Sequence, residues 1–362
     1  MKAAAAKKIP APHAGPSPAS RYSQTKMGIA AKRAIVSTFG IEPRILGQDT
    51  RKTYVRCPGS VARVAGTLRI PGFVNAHSHT FQRSLRGRAA GGDFWAWRDV
   101  MLAEAERQTP DLVRAEYELG YRELLAAGYT AVGEFHYLGV AEAHAAVEAA
   151  AAAGIEVVLL LVAYARGGLP RFRQESVSEY LGQVESLRKT GLRVGLAPHS
   201  VRACPAAWLE EIGRYAASEA LPLHIHADEQ PKEIEECLAE HGCRPIELLA
   251  RAGCLTERTT IVHATHADGA ELDLLASHGS TICACPTTEA DLGDGFLPAE
   301  RIRKRAIPLC IGSDDGARSL GLEAWREIEV DLAHRSLAGV AHDDVTAALV
   351  AGCGADVVVA QD

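Results

Sequence analysis

Several histidines and carboxylates in this sequence are spaced as the ligands of a metal ion would be. His77 and His79 are two residues apart, so in an extended segment both imidazoles project to the same side. Two imidazoles on one side can bind a single ion, although an isolated His-x-His is often a coincidence of alternation. The pair does not stand alone, because His226 and Glu229 form a His-x-x-Glu motif further along the chain. These spacings indicate a metal-dependent reaction with a carboxyl group near the ion.

Polar clusters of this kind close most of the strands that the sequence predicts from residue 67 onward. Short β-branched runs alternate there with helical stretches, which is typical of a parallel sheet built from βα units. His226 closes the fifth strand and His263 the sixth, and Asp314 follows the eighth; only the third strand is poor in polar residues at its end. Barrel enzymes build their sites at the C-terminal ends of the strands, so we predict an α/β fold, a (β/α)8 TIM-type barrel. An open doubly wound sheet is the alternative. The eight predicted strands are 68–75, 130–137, 155–163, 192–198, 221–226, 259–264, 281–285 and 308–312.

The composition is that of an ordinary globular chain of 362 residues with a net charge of −6. Residues 1–41 contain seven Lys or Arg and no acidic residue, which leaves 32 basic against 45 acidic residues in the remainder. An acidic body argues against nucleic-acid binding, and no apolar run approaches the roughly 18–20 residues that span a bilayer. Nine cysteines without a Cys-x-x-Cys pair favour a reducing compartment, so we expect a cytoplasmic protein.

The order of these motifs resembles the amidohydrolase superfamily of metal-dependent barrel hydrolases. The motifs are PGFVNAHSH at 71–79, the His-x-x-Glu at 226–229, VHATH at 262–266 and GSDD at 312–315. The resemblance implies that the metal ligands are His77, His79, His226 and Asp314. His224 is a rival for His226 because the two share a strand face, and the spacing to the glutamate favours His226.

The resemblance also implies a single ion. Members with two metals usually carry a carboxylated lysine after the fourth strand, where this chain has His199. A site rich in imidazole with one carboxylate suits zinc or iron rather than magnesium or calcium. We therefore expect one zinc ion per chain, with iron as the alternative.

The expected chemistry is hydrolysis with three catalytic residues. A bound Zn²⁺ lowers the pKa of its water from about 15.7 to about 7, which provides hydroxide at neutral pH. Glu229 is the candidate that protonates the leaving nitrogen, with orientation of a ligand as its alternative role. His263 holds or deprotonates the water, and Asp314 doubles as ligand and proton acceptor.

Longer blocks are similar to the formiminoglutamate deiminase family, whose members hydrolyse a formimino group to a formyl group and ammonia in histidine degradation. The most discriminating blocks are FWAWR at 94–98, APHSVRA at 197–203 and PTTEADLGDG at 286–295. This substrate carries two carboxylates, which arginine can bind through bidentate hydrogen bonds. For Arg98, a helix-surface position covering Trp95 and Trp97 is the alternative. The expected substrate contacts are Gln82, Arg98, Tyr137, His199 and Arg202.

The chain departs from the family at both ends, and this leaves other functions open. We predict an N-terminal extension and a remnant of a small β domain at 1–66, the barrel at 67–340 and a shortened C-terminal segment at 341–362. Asp315 and Gly316 also replace the usual Ser and His beside the metal aspartate. The alternatives are a purine or triazine ring deaminase, with the same metal and acid/base groups, or an inactive barrel that acts as a binding subunit. We expect a small acidic substrate, no nucleic acid and no membrane as partners, and leave a homodimer open.

Overall fold

The computed structural model describes residues 62–64, 67–71, 73–88, 94–315 and 356–360. The expected N-terminal extension and most of the predicted C-terminal segment lie outside the described residues. Gly316 and the side chains of Trp95 and Asp315 lie outside them as well.

Eight parallel strands form a nearly closed barrel, which confirms the predicted TIM-type fold. Each strand pairs in parallel with the next, and a short strand β11 (Asp314–Asp315) continues the last one and pairs with the first, Asp314 lying opposite Ser78. The carboxyl ends of all the strands therefore open onto one mouth. The barrel strands are β3 (Phe73–His79), β4 (Tyr129–His136), β5 (Glu156–Ala163), β6 (Val194–Pro198), β7 (Leu223–Ala227), β8 (Thr259–His263), β9 (Thr281–Ala284) and β10 (Leu309–Ile311).

Helices connect these strands and surround the barrel. They begin and end at local signals: Thr109 accepts the backbone N–H of Leu112 at the start of the second helix, and Gly154 ends the third in the left-handed conformation. None of the described helices is both long and apolar enough to cross a membrane. The helices are α1 (Phe94–Arg107), α2 (Pro110–Ala126), α3 (Val140–Ala153), α4 (Val177–Lys189), α5 (Ala206–Ser218), α6 (Pro231–His241), α7 (Pro245–Arg251), α8 (Gly269–His278), α9 (Pro286–Leu292) and α10 (Ala299–Lys304).

The predicted first strand at 68–75 is wrong, because the run divides between two sheets. Its first half is β2 (Thr67–Pro71), which pairs antiparallel with β1 (Ala62–Val64) and with β12 (Asp356–Ala360). Its second half belongs to β3 in the barrel. Both halves are extended and largely apolar, so the pattern alone does not show that they have different partners. Pro71, which lacks an N–H, is the last residue of the β2 ladder.

The barrel closes at a seam formed by Asn75 and His77 on β3 and by Gly312 and Ser313 after β10. The Asn75 amide donates to Ser313 Oγ at 2.7 Å and accepts the Ser313 backbone N–H at 3.0 Å. A Cβ atom on Gly312 would lie 2.7 Å from His77 Cβ and 2.8 Å from the His77 carbonyl oxygen. Glycine therefore lets the last strand approach the strand that carries His77 and His79.

We predict that Gly312→Ala weakens both folding and metal retention. The added methyl group forces the last strand away from His77, so we expect a loss of about 1–3 kcal/mol of unfolding free energy, as for other overpacked interiors. Urea unfolding of the metal-free protein and metal content per chain measure the two effects. The control is Gly182→Ala in α4, where an added Cβ meets no atom within 4 Å. Equal stability and metal content in Gly312→Ala and its parent would show that the seam tolerates a side chain.

Candidate metal centre and active site

Four donor atoms from three strand ends converge at the mouth of the barrel. His77 Nε2 lies 3.1 Å from His79 Nε2, from His226 Nε2 and from Asp314 Oδ1. His79 Nε2 is also 3.1 Å from the same aspartate oxygen. All four side chains are buried, and their donor atoms lie within 4.8 Å of one another. We call these four residues the donor group.

The remaining ring nitrogens of two imidazoles are held by neighbours. His77 Nδ1 lies 3.0 Å from His224 Nε2, and His226 Nδ1 lies 3.1 Å from the backbone oxygen of His199. Such contacts fix the ring orientation and leave Nε2 directed at the centre of the group. The geometry thus includes His226 in the donor group and places His224 behind His77.

The electrostatics of the donor group fit a cation. Burial lowers the pKa of His77 to about 4 and that of His226 well below its ordinary value, so both imidazoles are neutral, the form that binds metals. Burial would raise the pKa of Asp314, but hydrogen bonds from His77 and His79 hold it well below its ordinary value. Ligands about 2.0–2.1 Å from one ion are roughly 3 Å apart, as these atoms are. The residues present therefore fit a divalent metal.

A second pair of titratable groups lies beside the donor group. His263 Nε2 is 3.8 Å from Glu229 Oε1 and 3.8 Å from Asp314 Oδ2, the aspartate oxygen that does not face His77. Burial would lower the pKa of His263, but the carboxylates of Glu229, Glu289 and Asp314 raise it to about 10. The geometry places two groups that can exchange protons next to the four that can bind a metal.

A sulfur-containing set of donors overlaps the donor group. Ligand atoms of His263, Cys285 and Asp314 also lie within 4.8 Å of one another, and all three side chains are buried. This set has three members and shares Asp314 with the donor group. A thiolate-containing site is therefore the geometric alternative to an all-nitrogen-and-oxygen site.

A cavity of about 280 Å³ opens in front of the donor group. The guanidinium groups of Arg98 and Arg202 form no ion pair with a carboxylate among the residues that the structure describes. Gln82 donates to the Tyr137 hydroxyl at 3.3 Å. Glu229 and His263 line the same space, so the cavity joins the acid/base groups to the two cations. All the predicted substrate contacts line it, namely Gln82, Arg98, Tyr137, His199 and Arg202.

One residue that lines this cavity was not predicted from the sequence, and a second, Glu134, was predicted to be either pocket-lining or structural. Tyr164 follows β5 directly and lines the cavity with its ring 4.6 Å from that of His199, although the third strand showed no polar cluster. Glu134 lies outside the cavity lining and is buried; its carboxylate accepts the backbone N–H of Thr80 at 3.0 Å and the Thr80 hydroxyl at 2.6 Å. It therefore anchors the segment after His79. A glutamate inside a strand-end cluster was visible in the sequence, but its partner was not.

A parallel barrel with three histidines and an aspartate at its mouth, next to a glutamate and a fourth histidine, defines the class of metal-dependent barrel hydrolases. The family model described as "Amidohydrolase family" matches residues 68–351. The chain therefore belongs to the amidohydrolase family, which confirms the resemblance.

Two named proteins and one solved structure are similar to this chain. It is 38% identical over 296 residues to the formimidoylglutamate deiminase of Pseudomonas aeruginosa, covering 74% of this chain and 65% of that protein. It is 30% identical over 266 residues to the 5-methylthioadenosine/S-adenosylhomocysteine deaminase of Halobacterium salinarum, covering 73% and 61%. The crystal structure of an adenosine deaminase from Xanthomonas campestris with bound zinc matches with a TM-score of 0.69 at 25% identity, covering 76% and 63%. The chain thus spans less than two thirds of the length of these three relatives.

We predict that the purified protein retains one zinc-like ion per chain and that His77→Ala loses it. The barrel core does not depend on the ion, so the variant should remain folded while its metal content falls towards zero. Elemental analysis with circular dichroism measures both, and the exposed His278→Ala serves as the control. Two ions per chain, or none in a folded parent, would contradict a single site at the donor group.

Proposed function

We propose that this chain is a zinc-dependent hydrolase that converts N-formimino-L-glutamate to N-formyl-L-glutamate and ammonia. The observation that carries the proposal is the cavity, which Arg98 and Arg202 line together with Glu229 and with three members of the donor group, His79, His226 and Asp314. A substrate with an amidine at one end and two carboxylates at the other matches these charges. The 38% identity to the Pseudomonas aeruginosa deiminase supports the same substrate.

The donor group is the set that would hold the ion. Three imidazoles and one carboxylate suit zinc, and the zinc in the Xanthomonas campestris relative supports that choice. When bound, zinc makes hydroxide available from water at neutral pH and thereby supplies the nucleophile.

Glu229 and His263 are the groups that we propose handle protons. Glu229 and His263 both line the cavity, and Glu229 Oε1 lies 3.8 Å from the His263 Nε2 atom. A carboxyl group in this position can accept a proton from the attacking water and give it to the leaving nitrogen, so that ammonia departs. The Nε2–H of His263, which lies between the carboxylates of Glu229 and Asp314, can donate a hydrogen bond to an oxygen atom of the reacting group.

Arg98 and Arg202 are proposed to bind the two carboxylates of the substrate. An arginine fork forms two parallel hydrogen bonds to a carboxylate, which fixes orientation as well as position. His199, Tyr137 and Gln82 supply further polar contacts along the same wall. The predicted domain boundaries, the cytoplasmic location and the predicted partners, a small acidic substrate with a homodimer left open and no nucleic acid or membrane, stay predictions.

The second candidate is deamination of a purine nucleoside, because the Halobacterium salinarum relative is named for that reaction. 5-Methylthioadenosine offers no carboxylate to the two arginines, and S-adenosylhomocysteine offers one, whereas formiminoglutamate offers two. Ammonia release from formiminoglutamate, 5-methylthioadenosine and guanine by the zinc-loaded protein separates the candidates. We expect release from formiminoglutamate alone; faster release from either purine would overturn the proposal.

Glu229→Gln should keep the zinc while kcat falls by at least about a hundredfold. The amide preserves the shape of the side chain but cannot exchange a proton, and general acid/base catalysis contributes about 10²–10⁴-fold. Elemental analysis and steady-state kinetics measure the two effects. Glu210→Gln, at an exposed glutamate in α5, is the control. A kcat equal to that of the parent would remove Glu229 from the mechanism.

Arg202→Met should lower kcat/KM for formiminoglutamate by roughly 10- to 150-fold, because a hydrogen bond to a charged group contributes about 1.5–3 kcal/mol. Methionine keeps most of the bulk of the stem and removes the fork. The decrease in kcat/KM should be confined to substrates that carry carboxylates. The control measurement is therefore hydrolysis of a formamidine without carboxylates by the same variant. An equal loss for both substrates would point to a packing defect and not to carboxylate recognition.

A further inference from the structure

The imidazole of His263 has a carboxylate on the side that faces away from the cavity. Glu289, in the first turn of α9, places its Oε1 3.3 Å from His263 Nδ1. The same oxygen accepts the backbone N–H of Cys285 at 2.9 Å. Both side chains are almost completely buried, and Glu289 does not line the cavity. Of the described residues that line the cavity, His263 is the one to which Glu289 is hydrogen-bonded.

The hydrogen bond from the Cys285 N–H does not by itself explain why residue 289 is a glutamate. Glu289 Oε2 is buried and has no hydrogen-bond partner among the described residues. Burying a carboxylate with so few partners is destabilising unless a neighbouring group interacts with its charge. An uncharged acceptor would satisfy the Cys285 N–H equally well. The imidazole of His263 is the group that gains from a carboxylate at this position.

His263 needs such a restraint because its backbone is unusual. The residue has φ +72° and the following Ala264 has φ +53°, both in the left-handed region that non-glycine residues rarely adopt. An imidazole ring that donates one N–H to a buried carboxylate is fixed in one orientation. With Nδ1 directed at Glu289, Nε2 is directed at Glu229 and Asp314, each 3.8 Å away.

We propose that Glu289 is a positioning residue, which accepts the Nδ1–H of His263 and keeps Nε2 turned towards Glu229 and Asp314. Its effect on turnover rests on the proposed hydrolase function, whereas the contact itself can be tested without any substrate. No bond to a substrate atom is involved, so the role is to hold the imidazole in the arrangement that the reaction uses.

The first test is proton NMR of the full-length, zinc-loaded protein. An imidazole N–H that donates to a buried carboxylate gives a resonance far downfield, which the parent should show and His263→Asn should lack. Glu289→Met should lose it, and Glu289→Gln should keep it at a less downfield position, because the amide oxygen is a neutral acceptor. Glu271→Gln is the control, since Glu271 is equally buried but binds Arg244 and the Ile246 N–H, away from the cavity.

The second test is steady-state kinetics. Glu289→Met should lower kcat by about 10- to 100-fold, the usual effect of losing such an orienting partner, while KM and zinc content stay within about twofold. Glu289→Gln should restore most of kcat, and Glu271→Gln should leave it unchanged.

A resonance that persists in folded Glu289→Met would overturn the proposal, as would equal kcat losses in Glu289→Met and Glu271→Gln. If Glu289→Met does not fold, the spectrum of Glu289→Gln is the test. An imidazole N–H resonance at the same position as in the parent would show that His263 does not donate to Glu289. If the parent does not hydrolyse formiminoglutamate, the proposed function fails, and the NMR result still tests the contact between Glu289 and His263.

Discussion

In the mouth of the barrel, His77 Nε2 lies 3.1 Å from His79 Nε2, His226 Nε2 and Asp314 Oδ1, and this set of imidazoles and one carboxylate suits a divalent cation. The contacts between the first and last strands of the barrel hold these four side chains in place. Gly312 allows the last strand to approach His77, and the two hydrogen bonds between Asn75 and Ser313 hold the strands in register. The barrel closes where its first and last strands must meet to bring Asp314 to the histidines.

Groups of both charges line the cavity, as the proposed substrate requires. Glu229 and Asp314 lie around His263, and Arg98 and Arg202 line the same space. In the proposed function, the carboxylates attract the positive charge of the amidine and the arginines bind the two carboxylates of the substrate. A purine ring offers neither charge, which is why the arginines bear on the proposed substrate more strongly than the donor group does.

The sequence allowed the fold and much of the site to be predicted because both depend on local patterns. His77 and His79 share a side by alternation, and clusters at strand ends must meet at one mouth of a parallel barrel. The local pattern does not show which sheet an extended segment joins. The run at 68–75 was therefore predicted as one strand, although its two halves belong to β2 and β3 in different sheets. Contacts between distant residues were equally hidden: His224 behind His77 and Glu289 behind His263 become visible only when separate strands and helices are packed together.

The identity of the atoms around the ion is the most direct test of this account. X-ray absorption spectroscopy at the zinc edge of the purified protein should show only nitrogen and oxygen neighbours at about 2.0–2.1 Å, with the outer scattering of imidazole rings. A sulfur neighbour at about 2.3 Å would instead place the ion with His263, Cys285 and Asp314. That result would contradict a metal centre at His77, His79, His226 and Asp314. The ion would then bind the imidazole of His263, which the proposed mechanism assigns to the substrate.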